Sequence, residues 1–125
     1  MRAAAAYSES IEIDRWLDNQ FHVAQTLHSL ANMLSKQGRV EEAAAAYSES
    51  IEIGERLKND NHLAQVLRSY ALAIEIRSPD LALELLRRSL DINQRRGNAK
   101  FIKLVESTIR QVQERAATRN GGEKS

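Results

Sequence analysis

The segment AAAAYSESIEI occurs twice, at 3–13 and again at 43–53. Identity across such a run, at a spacing of 40, is what duplication of one structural unit leaves behind. It narrows the fold more than any other feature of the chain. The same spacing aligns His22-Val23-Ala24-Gln25 with His62-Leu63-Ala64-Gln65. It also pairs Leu27, Ser29 and Ala31 with Leu67, Ser69 and Ala71. A weaker third copy, LALELLRRSLDI at 81–92, sits at a spacing of 39. The missing residue falls where Gln37-Gly38-Arg39 gives way to Arg77-Ser78-Pro79, and turns absorb such changes.

Each unit reads as two helices. Val23, Leu27, Leu30, Ala31 and Leu34 form one apolar stripe at helical spacing, and Gly38 then supplies a left-handed helix end. Val40, Ala43, Ala44, Tyr47, Ile51 and Ile53 serve the second helix. The next pair repeats this with Leu63, Leu67, Tyr70, Ala71 and Ile74, then Leu81, Ala82, Leu85, Leu86, Leu90 and Ile92. Pro79 stands at a helix start behind Ser78 as N-cap. Asp18-Asn19, Asp60-Asn61 and Gly97-Asn98 recur as breaks able to cap the following helix. The pattern predicts six helices, at 2–17, 20–36, 40–57, 61–77, 79–96 and 98–117. The last carries one stripe, Phe101, Leu104, Val105, Thr108 and Val112, with a polar back, as a terminal capping helix does. Residues 118–125 lack periodicity and are expected to be disordered.

Composition agrees with an all-α chain: five glycines and one proline leave little punctuation for β-structure. The absence of cysteine excludes disulfides, thiolate metal sites and a Cys nucleophile, and fits a cytoplasmic setting. No apolar run nears the roughly 18 residues of a membrane span, and no signal-peptide pattern opens the chain. The formal net charge of +1 argues against nucleic-acid binding by bulk attraction. Charge is uneven, however: residues 1–76 sum to −4 and residues 77–125 to +5.

These residues resemble the tetratricopeptide repeat family. Leu30-Ala31, Leu34, Gly38, Ala43, Tyr47, Ser50 and Ile51 match its spacing, as do Tyr70-Ala71, Ile74, Ala82, Leu86, Ser89 and Leu90. Residues 3–13 match only the second helix of a unit, and the resemblance covers about 2–112. The family repeat is usually about 34 residues; the period of 40 here resembles its longer subgroup, as in kinesin light chains. The family's boundary proline is missing, and Gly38 has no counterpart in the second unit. The resemblance implies a right-handed α-α superhelix with repeats at 20–57 and 61–96, a partial repeat before them and a cap at 98–117.

It also implies a concave face lined by the first helix of each unit, suited to a peptide or protein surface. Carried over by position, that face holds Gln25, His28, Ser29, Asn32 and Lys36, then Gln65, Arg68, Ser69, Leu72 and Ile76, with Lys100 and Lys103 continuing it. Some members clamp a terminal carboxylate there, but His28 replaces a Lys and Ser69 an expected Asn. A second function is self-association through Tyr7, Ile11, Ile13, Trp16 and Leu17, an apolar second-helix set without a first helix to pack on. His22 and His62 read as exposed or capping histidines, since no carboxylate at i+3 or i+4 completes a metal set. No HExxH, phosphate loop or nucleophile elbow occurs, so neither an enzyme nor a cofactor is expected. The partners expected are proteins or peptides, with a homo-oligomer open, and neither membrane, small-molecule substrate nor nucleic acid.

Overall fold

A computed structural model describes residues 6–9, 11–12 and 19–124, with side chains described as far as Asn120. Among the described residues the structure is all-α. It consists of α1 (Gln20–Lys36), α2 (Val40–Arg56), α3 (Asp60–Ile74), α4 (Pro79–Arg96) and α5 (Ala99–Lys124), with residues 6–9 and 11–12 helical ahead of them. None of these helices is long and apolar enough to cross a membrane.

The first helix of every unit starts on the same device. Asn19, Asn59 and Asn98 each accept, through Oδ1, the backbone N–H three residues on, from His22 at 3.1 Å, His62 at 3.0 Å and Phe101 at 3.3 Å. Each bond satisfies a donor that the opening turn of a helix otherwise leaves orphaned. The break read at Asp60-Asn61 is therefore capped one residue earlier, by Asn59. Asp60 instead becomes the first helical residue, where its charge complements the helix dipole. Ser78 does stand at the N-cap of α4 with Pro79 behind it, but its side chain makes no capping bond.

Helix ends are set by left-handed residues. Gly38 (φ 77) and Gly97 (φ 66) close α1 and α4, as glycine does at little steric cost. After α2 the same task falls to Lys58 (φ 53), where the N–H of Asn59 reaches the carbonyl of Gly54 at 3.0 Å. Lys58 thus does between α2 and α3 what Gly97 does between α4 and α5, while the α3–α4 turn, where Gly38 has no counterpart, contains no left-handed residue.

The described chain forms two compact units, residues 1–66 and 67–125. In the first, α1 and α2 pack as an antiparallel hairpin. Tyr47 Oη donates to Asn32 Oδ1 (2.5 Å), Ser50 Oγ to the Ala24 carbonyl (2.7 Å) and Arg56 to Gln20 Oε1 (3.1 Å). Ala24, Ala31, Ala43 and Ser50 are buried at the contact, so the backbones approach closely while Tyr47 fills the space between them. In the second unit α4 packs on α5, over a core of Leu67, Ala71, Ala82, Leu86, Ser89, Ile92, Val105 and Val112. There α5 runs parallel to the end of α3: Arg68 donates to Thr108 Oγ1 (3.1 Å), and Arg115 grips Glu75 through two bonds (2.9 and 2.7 Å). Each pair is 40 residues apart, in the same direction.

The helix α5 buries Val105, Thr108 and Val112, whereas Leu104, read as part of that stripe, is 40 % exposed. Its helix also continues through residues 118–124, which the sequence reading leaves disordered. Two bonds support that extension: Thr118 Oγ1 to the Glu114 carbonyl (2.9 Å) and Arg119 to the Glu75 carbonyl (3.4 Å). Side-chain capping of a carbonyl and a long-range anchor are invisible to periodicity.

Candidate binding faces

On α1, Gln25, Ser29 and Lys36 are exposed, and His28 and Asn32 are half-buried. Gln25 and Ser29 share one face at a spacing of four, and this face borders an open cleft of about 270 Å³. Tyr7, His22, Gln25, Thr26 and Ser29 line it. Four of these five side chains carry a hydroxyl or an amide, and the fifth is an imidazole, so they offer a peptide backbone both donors and acceptors. Sequence reasoning missed Thr26 and assigned Tyr7 to self-association. Ile11 of that second set is buried at 8 % exposure. Its companions Ile13, Trp16 and Leu17, like most of the helix read at 2–17, lie outside the described residues.

His28 and Asn32 do share a helix face, but their side chains engage their own fold. Asn32 Oδ1 receives the Tyr47 hydroxyl. The His28 ring lies 6.2 Å from that of Tyr47 and 6.0 Å from that of His62. Burial, and after it the charge of His62, push the His28 imidazole down to about 4. Burial likewise pushes the Tyr47 phenol up to about 12.

His22 and His62 occupy equivalent sequence positions but different surroundings. His22 is exposed, whereas His62 is 6 % exposed, which corrects its reading as a surface or capping residue. Its Nε2 lies 2.9 Å from Ser50 Oγ. The Ser50 proton is committed to the Ala24 carbonyl, so this bond assigns the proton to His62 Nε2. Burial lowers the His62 pKa, opposed by the bond to Ser50. Room for the ring comes from Gly54: a Cβ there would stand 3.1 Å from His62 Cδ2 and 3.1 Å from Leu63 Cδ2. The sequence holds a signal for this, since Gly54 stands where the preceding unit has Asp14. Among the described residues no group of three or more His, Cys, Asp or Glu is placed to hold a metal ion.

The second predicted row divides between the units. Gln65 is exposed, and its amide donates to Asn61 Oδ1 at 3.2 Å. In residues 67–125, Arg68 and Ser69 are half-buried, Leu72 is 36 % exposed and Ile76, in the turn after α3, is 74 % exposed. Lys100 and Lys103 are exposed on the first turns of α5. The contacts missed here, Arg68 with Thr108 and Glu75 with Arg115, had one available signal, the spacing of 40 that links 68 with 108 and 75 with 115.

Comparison with protein families finds a match to the model described as tetratricopeptide repeat, over residues 22–95. The matched segment spans α1 to α4 apart from the first two residues of α1 and the last of α4, and the all-α fold of paired helices agrees with it. Comparison with curated proteins finds no matching sequence.

Proposed function

Because the chain belongs to the tetratricopeptide repeat family, we propose that it is a non-enzymatic interaction module holding a peptide or protein surface on the exposed faces of its first helices. Repeats of this family generally mediate protein–protein interactions, and its members are typically scaffolds. The observation that carries the reading is the cleft beside Gln25 and Ser29. It is open and lies along the exposed Gln25–Ser29 face of the helix, which suits a stretch of extended chain. Its lining offers neutral donors and acceptors, so affinity would come from main-chain hydrogen bonds rather than a charge clamp. The binding residues proposed on α1 are Gln25 and Ser29, with Lys36 at the far end of the helix. His28 and Asn32 support the face from beneath. A cytoplasmic setting is proposed on the cysteine-free sequence.

Affinity capture with the 125-residue chain, followed by the same capture with Gln25→Ala and Ser29→Ala combined, tests this. Loss of the captured protein, with the helical circular dichroism signal and melting unchanged, supports the reading. A partner retained at full yield by the double variant removes the cleft from it.

A further inference from the structure

We propose that the cleft on α1 selects its ligand by one neutral ring side chain, phenyl or imidazole, seated against Tyr7 and His22 while Gln25 and Ser29 hold the main chain. This rests on the interaction-module reading and names the chemistry of the segment that the cleft takes.

The duplicated sequence supplies the template. The spacing of 40 relates Tyr7 to Tyr47 and His22 to His62, within segments that are otherwise nearly alike. Inside the fold, the second pair accommodates a ring. The His28 imidazole lies 6.2 Å from the ring of Tyr47 and 6.0 Å from that of His62, and it meets His62 edge to face at 84°. Phe21 meets the same imidazole at 5.9 Å and 80°. Aromatic pairs prefer these separations and angles. Both rings come from α1, and the imidazole they touch is buried. In the first pair Tyr7 is half-buried and His22 exposed, and both line the open cleft. The same two side chains thus present to a ligand what their copies present to His28.

One difference between the copies suits a ligand. Thr26 lines the cleft, and the spacing of 40 places the fully buried Val66 in the other copy. A hydroxyl stands in for a methyl of similar size, so the open copy can hydrogen-bond a main chain where the closed copy packs dry. Among the described residues no Lys, Arg, Asp or Glu lines the cleft. A charged side chain would give up water there without gaining a counter-charge. A neutral ring escapes that cost and gains an edge-to-face contact with His22. Main-chain bonds to Gln25 and Ser29 fix the segment, and the ring selects which segment is held.

The test uses the full chain at pH 7.5 and four uncharged twelve-residue peptides, alike except at one central position. That position holds phenylalanine, histidine, leucine or alanine. Titration followed by NMR reads both affinity and place. The phenylalanine and histidine peptides are expected to bind about tenfold more tightly than the alanine peptide. They should also exceed the leucine peptide, which offers apolar area without a ring. Both should shift the ring protons of Tyr7 and His22 through their ring currents. His22→Ala removes an exposed side chain and leaves the backbone N–H that Asn19 caps, so the fold should survive it. This variant should erase the preference for rings. Gln25→Ala with Ser29→Ala should weaken all four peptides alike and keep the preference. Amide spectra check that each variant folds. Equal affinity of the leucine and ring peptides, a ring preference that survives His22→Ala, unmoved His22 ring protons, or no binding of the ring peptides at millimolar concentration overturns the proposal. Should the ring preference be absent while partner capture still depends on Gln25 and Ser29, only this inference falls and the interaction-module reading stands.

Discussion

His62 donates its Nε2 proton to Ser50, whose own hydroxyl is already committed to the carbonyl of Ala24. This two-bond relay ties α3 to the α1–α2 hairpin through a buried polar chain, in a position where a purely apolar residue would be the simpler choice. Each link in it is directional. The chain therefore specifies one register between the helices; protonation would leave the Nε2–H donor in place, and what opposes the charge on His62 is burial.

Acid should loosen the first unit. Both His28 and His62 have pKa values lowered in the folded state, His28 to about 4. The unfolded chain takes up their protons near pH 6.5, while the folded chain resists. The His28 contribution is complete above about pH 6.5 and is lost as pH falls from there toward about 4, at up to ~1.4 kcal/mol per pH unit, and His62 acts in the same direction. Urea denaturation at pH 7.5, 6.0 and 5.0 should show the decline, and His28→Gln should reduce it. An identical pH slope in that variant would show that His28 is not the group being titrated.

Gly54 should resist the usual benefit of alanine in a helix. Alanine normally gains about 1 kcal/mol over glycine in a helix interior. Here its Cβ would press on His62 and Leu63 at 3.1 Å, and overpacking of this kind costs roughly 1–3 kcal/mol. Gly54→Ala is expected to be neutral or destabilising alone and less unfavourable in a His62→Ala background, where the Leu63 contacts remain. The double-mutant cycle measures the coupling directly, and simple additivity would contradict the clash.

The shared asparagine caps give a local prediction. Asn59→Ala should cost about 1 kcal/mol, and Asn59→Asp should cost almost nothing, because the carboxylate still accepts the His62 N–H. Chemical denaturation of both variants checks this. Equal losses would mean that the cap bond is not what the side chain contributes.

The Glu75–Arg115 pair should be asymmetric to mutation. Its side chains are 10 % and 45 % exposed, so removing the arginine strands a mostly buried carboxylate. Arg115→Ala should cost about 1–3 kcal/mol, and Glu75→Gln in the same chain should recover part of it. Hydrogen exchange localised to α5 would register the same change as earlier opening of the helix.

Partner capture and self-association meet at Tyr7, so self-association is read by oligomeric state alone. Tyr7 is half-exposed at the cleft, whereas Ile11 is buried. If residues 2–17 drive association, light scattering of the wild-type chain at high micromolar concentration reads a dimer or larger, and Tyr7→Ser shifts it toward monomer. A wild-type monomer under those conditions removes that second function.

Local chemistry made much of this molecule legible in its sequence. The duplicated segment, the helical spacing of Val23, Leu27, Ala31 and Leu34, and the breaker Gly38 act within a turn or two of the chain. So does Asn19, whose capping bond spans three residues. Such signals survive translation into structure because their partners are neighbours in sequence. What tertiary packing decided is the fate of residues whose partners are distant. Positionally equivalent, His22 is exposed and His62 buried, and the His62 ring packs against Gly54, where a Cβ would crowd it. His28 and Asn32 face Tyr47, since the hairpin brings α2 beneath them. The end of α5 is held by Thr118 and by an arginine reaching back 44 residues to the Glu75 carbonyl. A one-dimensional pattern encodes which side of a helix is apolar. It does not encode which side chain stands across the gap, and burial, tautomer and charge pairing follow from that.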